Sequence, residues 1–138
     1  MIKQQIISGF TFGIAGLLAA VSIMLFFQLF GDTATFIIYV ALPAAAAAAS
    51  GAWIGAAIMD ETKIRTGLRA AGQGALVALL SQALFWAAYS IIGVFMGASG
   101  GLLSGLGILA IIAIGTFWTL GFSLIVGALA GSILYKLR

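Results

Sequence analysis

The sequence predicts an all-α integral membrane protein whose four transmembrane helices form two antiparallel hairpins. Three observations lead there. Residues 4–31, 33–59 and 70–135 carry no charge at all, and each run exceeds the ~20 apolar residues that cross the hydrocarbon core as a helix. Five of the nine charged residues (6 basic, 3 acidic) fall within positions 60–69, which concentrates the polar part of the chain in one central loop. Lys3, Lys63, Arg65, Arg69, Lys136 and Arg138 all lie on one side of a four-span chain, with Asp32 alone opposite, as the positive-inside bias requires.

Composition agrees. The chain is 64% hydrophobic and 7% charged, against roughly 25% charged in soluble domains, which excludes a water-soluble fold. The net charge of +3 comes from bases spread over three short segments. They make no continuous stripe for nucleic acid, and topology accounts for them better. The chain has no Cys and no His, so disulfides, thiol chemistry, imidazole-held haem or zinc and His-based proton transfer lose their usual residues. No cofactor is expected.

The first span covers about 6–30. It resembles a signal peptide at its start, with Lys3 ahead of an apolar run and small residues at Ala19 and Ala20, but the run continues through Phe27 and its length fits a retained helix. A short turn around Asp32 returns the chain into a second span, about 35–59. That span holds the only proline, Pro43, followed by six alanines and then Ser50, Gly51 and Gly55. Proline frees a carbonyl one turn earlier and predicts a kink. Small residues let helix backbones approach closely in lipid, where the hydrophobic effect does not drive helices together. After the charged loop, residues 70–135 would make a single helix of ~100 Å at 1.5 Å per residue. The chain must therefore turn back, and the glycine-rich stretch 97–107 is where a helix is least favourable. Spans of about 70–95 and 108–135 result. Trp86 and Trp118 each fall ~26 Å along a helix from the basic end, which predicts that they mark the opposite interface.

A weak internal repeat runs through the chain. An offset of 59 aligns Gly13 with Gly72, Ser22 with Ser81 and Phe26 with Phe85, and the second and fourth spans share Gly-Ala-x-x-Gly. Parallel duplication of one hairpin is one reading, and chance matching in a chain poor in residue types is the other.

Candidate sites follow from residue type. Gly51, Gly55, Gly127 and Gly131 form small-xxx-small pairs and are expected in helix contacts. Gln73, Gln82 and Ser81 are intramembrane polar residues, expected mainly as interhelical glue. Gln73 and Gln82 are two and a half turns apart and project to opposite faces. Glu61 and Arg65 have the spacing of a helical ion pair. No Asp, Glu, Lys, Arg or His lies inside a span, so the chain lacks the membrane-embedded Glu on which four-span small multidrug transporters rely. The stretch between the two outer tryptophans is almost wholly apolar. Phe95, Met96, Leu103 and Ile112 within it are expected to contact a neighbouring subunit, with tilted helices or a re-entrant turn as the alternatives.

No residue constellation names a reaction. The expected function is that of a non-catalytic accessory, assembly or scaffold subunit of a larger membrane complex. The alternative is an oligomeric channel or carrier for a neutral solute or lipid. Expected partners are membrane lipids and other transmembrane subunits or further copies of the chain. The expected location is a bacterial cytoplasmic membrane or an equivalent energy-transducing membrane, with both termini cytoplasmic.

Overall fold

The computed structural model describes residues 2–26, 33–60, 62–95 and 105–138, with backbone alone at 26, 34–35, 93–95 and 105–120. All regular structure among them is helical. Helix α1 is Ile2–Phe26. Helix α2, Thr33–Phe36, runs through a π turn, Ile37–Ala41, into α3, Leu42–Trp53, and a 3₁₀ segment, Gly55–Met59, leads to the central loop. Helix α4 is Gly67–Phe95 and α5 is Gly105–Lys136.

Each irregularity has a local cause. Pro43 sits in the first turn of α3 and has no N–H to give the Tyr39 carbonyl four residues back. The chain widens just ahead of it, and the Leu42 N–H bonds the carbonyl of Ile37, five residues back. Where a kink was expected, the backbone ahead of Pro43 forms a π turn. The helical stretch reaches Met59, but its last turn tightens to 3₁₀ beyond Ile54. There Asp60 turns the chain into extended backbone, with φ −93° and ψ 106°. Helix α4 starts at Gly67, three residues before the expected 70, because the Thr66 hydroxyl oxygen accepts the Arg69 N–H at 3.3 Å and caps the helix.

Asp60 also organises the loop. Its carboxylate accepts the Thr62 N–H at 3.0 Å and the Thr62 hydroxyl at 2.6 Å, and Lys63 approaches to 3.4 Å. The ion pair is therefore with Lys63. Glu61, one half of the Glu61 to Arg65 pair expected from spacing, lies outside the described residues. The bond from the Thr62 hydroxyl, then that from its N–H, hold the Asp60 carboxyl below its ordinary value of 3.8. A depressed folded value means that the stabilisation is complete above 3.8, fades as pH drops below it and is gone below the folded value. Amide exchange at Thr62 is accordingly expected to accelerate, beyond its intrinsic pH dependence, as the solution is acidified through this range. Asp60→Asn should flatten that response.

The helices pair as antiparallel neighbours, α1 with α3 and α4 with α5, while α3 against α4 and α1 against α5 join the two hairpins. The main core lies at the loop end, where Phe12, Ile58, Ala70, Val77, Ala130 and Leu134 are buried together. A smaller cluster of Ala20, Met24 and Val40 closes the far end of the first hairpin. Two stretches, Ile2–Leu25 and Gly67–Ile92, are long and apolar enough to cross a membrane, and Ile37–Trp53 and Gly121–Lys136 are shorter apolar helices. Only 22% of the most apolar window in each long stretch is buried, whereas the core helix of a water-soluble protein buries most of such a surface. Phe10, Leu18, Ile125 and Leu129 all point outward.

Candidate functional site

The two hairpins are closed by different devices. In the second, Gly74 of α4 lies directly on Gly127 and Gly131 of α5, and a Cβ built on any of the three would run into backbone of the facing helix. The Gly131 position meets the Ala70 carbonyl and the Gly127 position meets Gly74 and the Ala78 methyl. Residues 70, 74 and 78 thus present one face of α4, four apart, to residues 127 and 131 of α5. At this separation the backbones themselves are the contact surface.

In the first hairpin the glycines receive a side chain. Gly51, in α3, and Gly55, at the start of the 3₁₀ segment, leave a notch for the Phe12 ring, and Phe12 is only 3% exposed. The Ser8 hydroxyl enters the same seam and donates to the Gly51 carbonyl at 2.8 Å. On the other side of this contact, Gly9, Gly13 and Gly16 of α1 face Ala44, Ala47, Ala48 and Ala52. The shared Gly-Ala-x-x-Gly string of the second and fourth spans is therefore not a repeat of contacts. One copy houses an aromatic ring and the other houses backbone. Gly13 and Gly72, matched by the offset of 59, differ too, since Gly13 faces Ala48 while a Cβ at Gly72 meets no described atom within 4 Å.

Several polar side chains among the described residues donate to protein acceptors. Gln73 donates to the Ile54 carbonyl at 3.1 Å, which caps the place where α3 gives way to 3₁₀. Gln82 donates to the Ser123 hydroxyl on α5. The two glutamines serve different neighbours, as their spacing requires. Ser81 does not join them, because its hydroxyl returns to the Val77 carbonyl of its own helix. Ser50 and Ser90 do likewise with Ala46 and Trp86. The bonds that cross between elements, from Ser8, Gln73 and Gln82, contribute about 0.6 to 2 kcal/mol each. One donor is left over: the buried Trp86 Nε1 has no hydrogen-bond partner among the described residues. Its ring packs edge-on against Phe85 at 5.0 Å and Tyr89 at 5.6 Å, and Tyr89 stands 6.3 Å from Tyr39 in the π turn.

At the loop end, Arg138 donates to the carbonyls of Ile58, at 3.3 Å, and Ile64, at 2.6 Å. Its guanidinium lies 4.0 Å from the centre of the Tyr135 ring, and the Tyr135 hydroxyl donates to the Arg65 carbonyl at 3.1 Å. Together they tie the end of α5 to the central loop. Among the described residues no three His, Cys, Asp or Glu side chains gather, so nothing there offers a metal a set of ligands.

Sequence reading singled out Gly51, Gly55, Gly127 and Gly131 but passed over Gly74, Phe12 and Ser8, and read Arg138 only as a charge that sets orientation. Gly74 was within reach, since Ala70, Gly74 and Ala78 repeat every four residues. Nothing local to Arg138 pointed to its acceptors in the loop. Of the expected partner surface, Met96 and Leu103 lie outside the described residues, and Phe95 and Ile112 are described as backbone alone. Compared with protein-family models, curated proteins and solved structures, the chain matches none.

Proposed function

We propose that this chain is a four-span integral membrane protein that serves as a non-catalytic scaffold or assembly subunit of a larger membrane complex. The spans are α1, the helical stretch from α2 to Met59, α4 and α5, arranged as two hairpins. The 32 residues of α5 reach ~48 Å at 1.5 Å each, more than the ~30 Å of hydrocarbon. The observation that carries the functional reading is how the polar groups are used. Gln73, Gln82, Ser8, Ser50, Ser81 and Ser90 all donate to protein oxygens, which leaves Trp86 Nε1 as the one buried, unpaired side-chain donor among the described residues. Transport of a polar solute needs a path of groups free to bind it. A bundle whose described polar atoms are taken up within its own helices or between them, and whose described outer face is apolar, is suited to binding other helices.

Mild detergent extraction from native membranes, followed by identification of what remains bound, tests the reading. Stoichiometric transmembrane subunits are the expected result. A homogeneous oligomer of this chain alone that conducts solute across liposomes would replace it with the channel alternative. Orientation is checked separately, by placing single cysteines at Thr62 and Thr33 and treating intact cells with a membrane-impermeant thiol reagent. Thr33 should label and Thr62 should not.

A further inference from the structure

A cavity of about 540 Å³ runs along the outside of the first hairpin, between α1 and α3. Its floor is Gly9, Gly13, Ala44, Ala48 and Ala52, and Ile6, Phe10, Ile14 and Leu17 stand along it. The only polar lining residue is Gln5, at one end. From Gln5 to Leu17 the groove is ~18 Å long by helical rise, close to the ~15 Å depth of one leaflet and well short of the whole hydrocarbon core. It is too short for a second transmembrane helix and suits an acyl chain that enters from one surface. The open end carries the groups of a membrane interface. Trp53, next to Ala52, is 74% exposed, as a tryptophan at headgroup level would be, and Lys3, two residues from Gln5, is exposed as well.

We infer that this groove holds one phospholipid of the leaflet that faces the central loop, its acyl chain along Gly9, Gly13 and Ala48 and its anionic headgroup against Lys3. The inference rests on the membrane reading above. The Gln5 amide is placed to donate to ester or phosphate oxygens, and a single lysine near the headgroup attracts an anionic lipid about fivefold over a zwitterionic one.

The test uses the purified full chain in nanodiscs doped with phosphatidylglycerol or phosphatidylcholine carrying a photoreactive group in the acyl chain. Label is expected in the peptides around Ile14, Ala45 and Ala48, about fivefold stronger with the anionic lipid. Lys3→Gln should abolish that preference and keep the labelling. Ala45→Phe, at an exposed lining position, should fill the groove and lower its label severalfold with an unchanged melting temperature. Leu129→Phe, on the exposed face of α5, should change nothing. Label spread evenly over all outward faces would overturn the groove while leaving the membrane reading intact, and absence of label everywhere would overturn both. Groove label displaced by a co-purifying protein would mean that a subunit, and not a lipid, occupies this face.

Discussion

Gly74→Ala is expected to destabilise the protein by about 1 to 3 kcal/mol, the usual cost of overpacking a close contact, whereas Gly72→Ala, two residues away on the same helix, should be neutral or stabilise by up to ~1 kcal/mol. Both changes add one methyl group and both raise helix propensity. What separates them is what the methyl meets. At position 74 it would fall on the carbonyl of Gly127, which belongs to the backbone of α5 and cannot swing aside. At position 72 it meets no described atom within 4 Å. The two helices would have to move apart along their whole seam to admit the first methyl, and the lost dispersion contacts would extend to Ala70, Ala78 and Gly131. Thermal melts of the variants in one detergent check this. Equal midpoints would show that the α4 to α5 seam is not held by backbone proximity.

Phe12→Ala is the second change expected to have a large effect, a loss of about 3 to 5 kcal/mol, because the ring is buried in the notch left by Gly51 and Gly55. Gly55→Ala should also destabilise, since its new methyl would crowd both the Phe12 ring and the Ser8 hydroxyl. The double variant provides the sharper test. With the ring gone, the methyl has part of the vacated space, so the combined loss should be clearly smaller than the sum of the two single losses. Strict additivity in a denaturation series would mean that Phe12 and Gly55 do not share a site.

How much of this could be read from the chain depends on whether the signal is local. Runs without charge pointed to apolar helices, the glycine-rich stretch 97–107 was needed to break the last run, and the polar loop at 60–69 falls between α3 with its 3₁₀ extension and α4. The glycines of α5 stood out because they repeat every four residues. Their counterpart, Gly74, carries equal weight in the contact but was hidden among other small residues of α4. Helix ends were shifted by single capping groups, such as the Thr66 hydroxyl, whose effect is worth only about 1 kcal/mol and leaves hydropathy unchanged. The notch that receives Phe12 was not legible at all. A pair of glycines reads the same whether a ring or a backbone lies against it, and the partner is decided by the rotation of α1 about its axis. Gln73 was visible as a polar residue in an apolar run. That its acceptor would be Ile54 followed only once the helix was seen to change pitch there.

The bonds made by Arg138 set an order of events. Its two acceptors, Ile58 and Ile64, precede it by 80 and 74 residues, whereas the Ser8 to Gly51 bond spans 43. Synthesis at about 5 to 20 residues per second separates the emergence of Ile58 from that of Arg138 by on the order of 4 to 16 s. Through that interval the nascent protein has every residue of the α1 to α3 seam, Phe12 and its notch included, but not the guanidinium that bonds the Ile58 and Ile64 carbonyls in the folded chain. The α1 to α3 seam is thus complete in sequence before α5 is made, whereas the bonds that tie the loop to α5 depend on Arg138, a residue outside both seams.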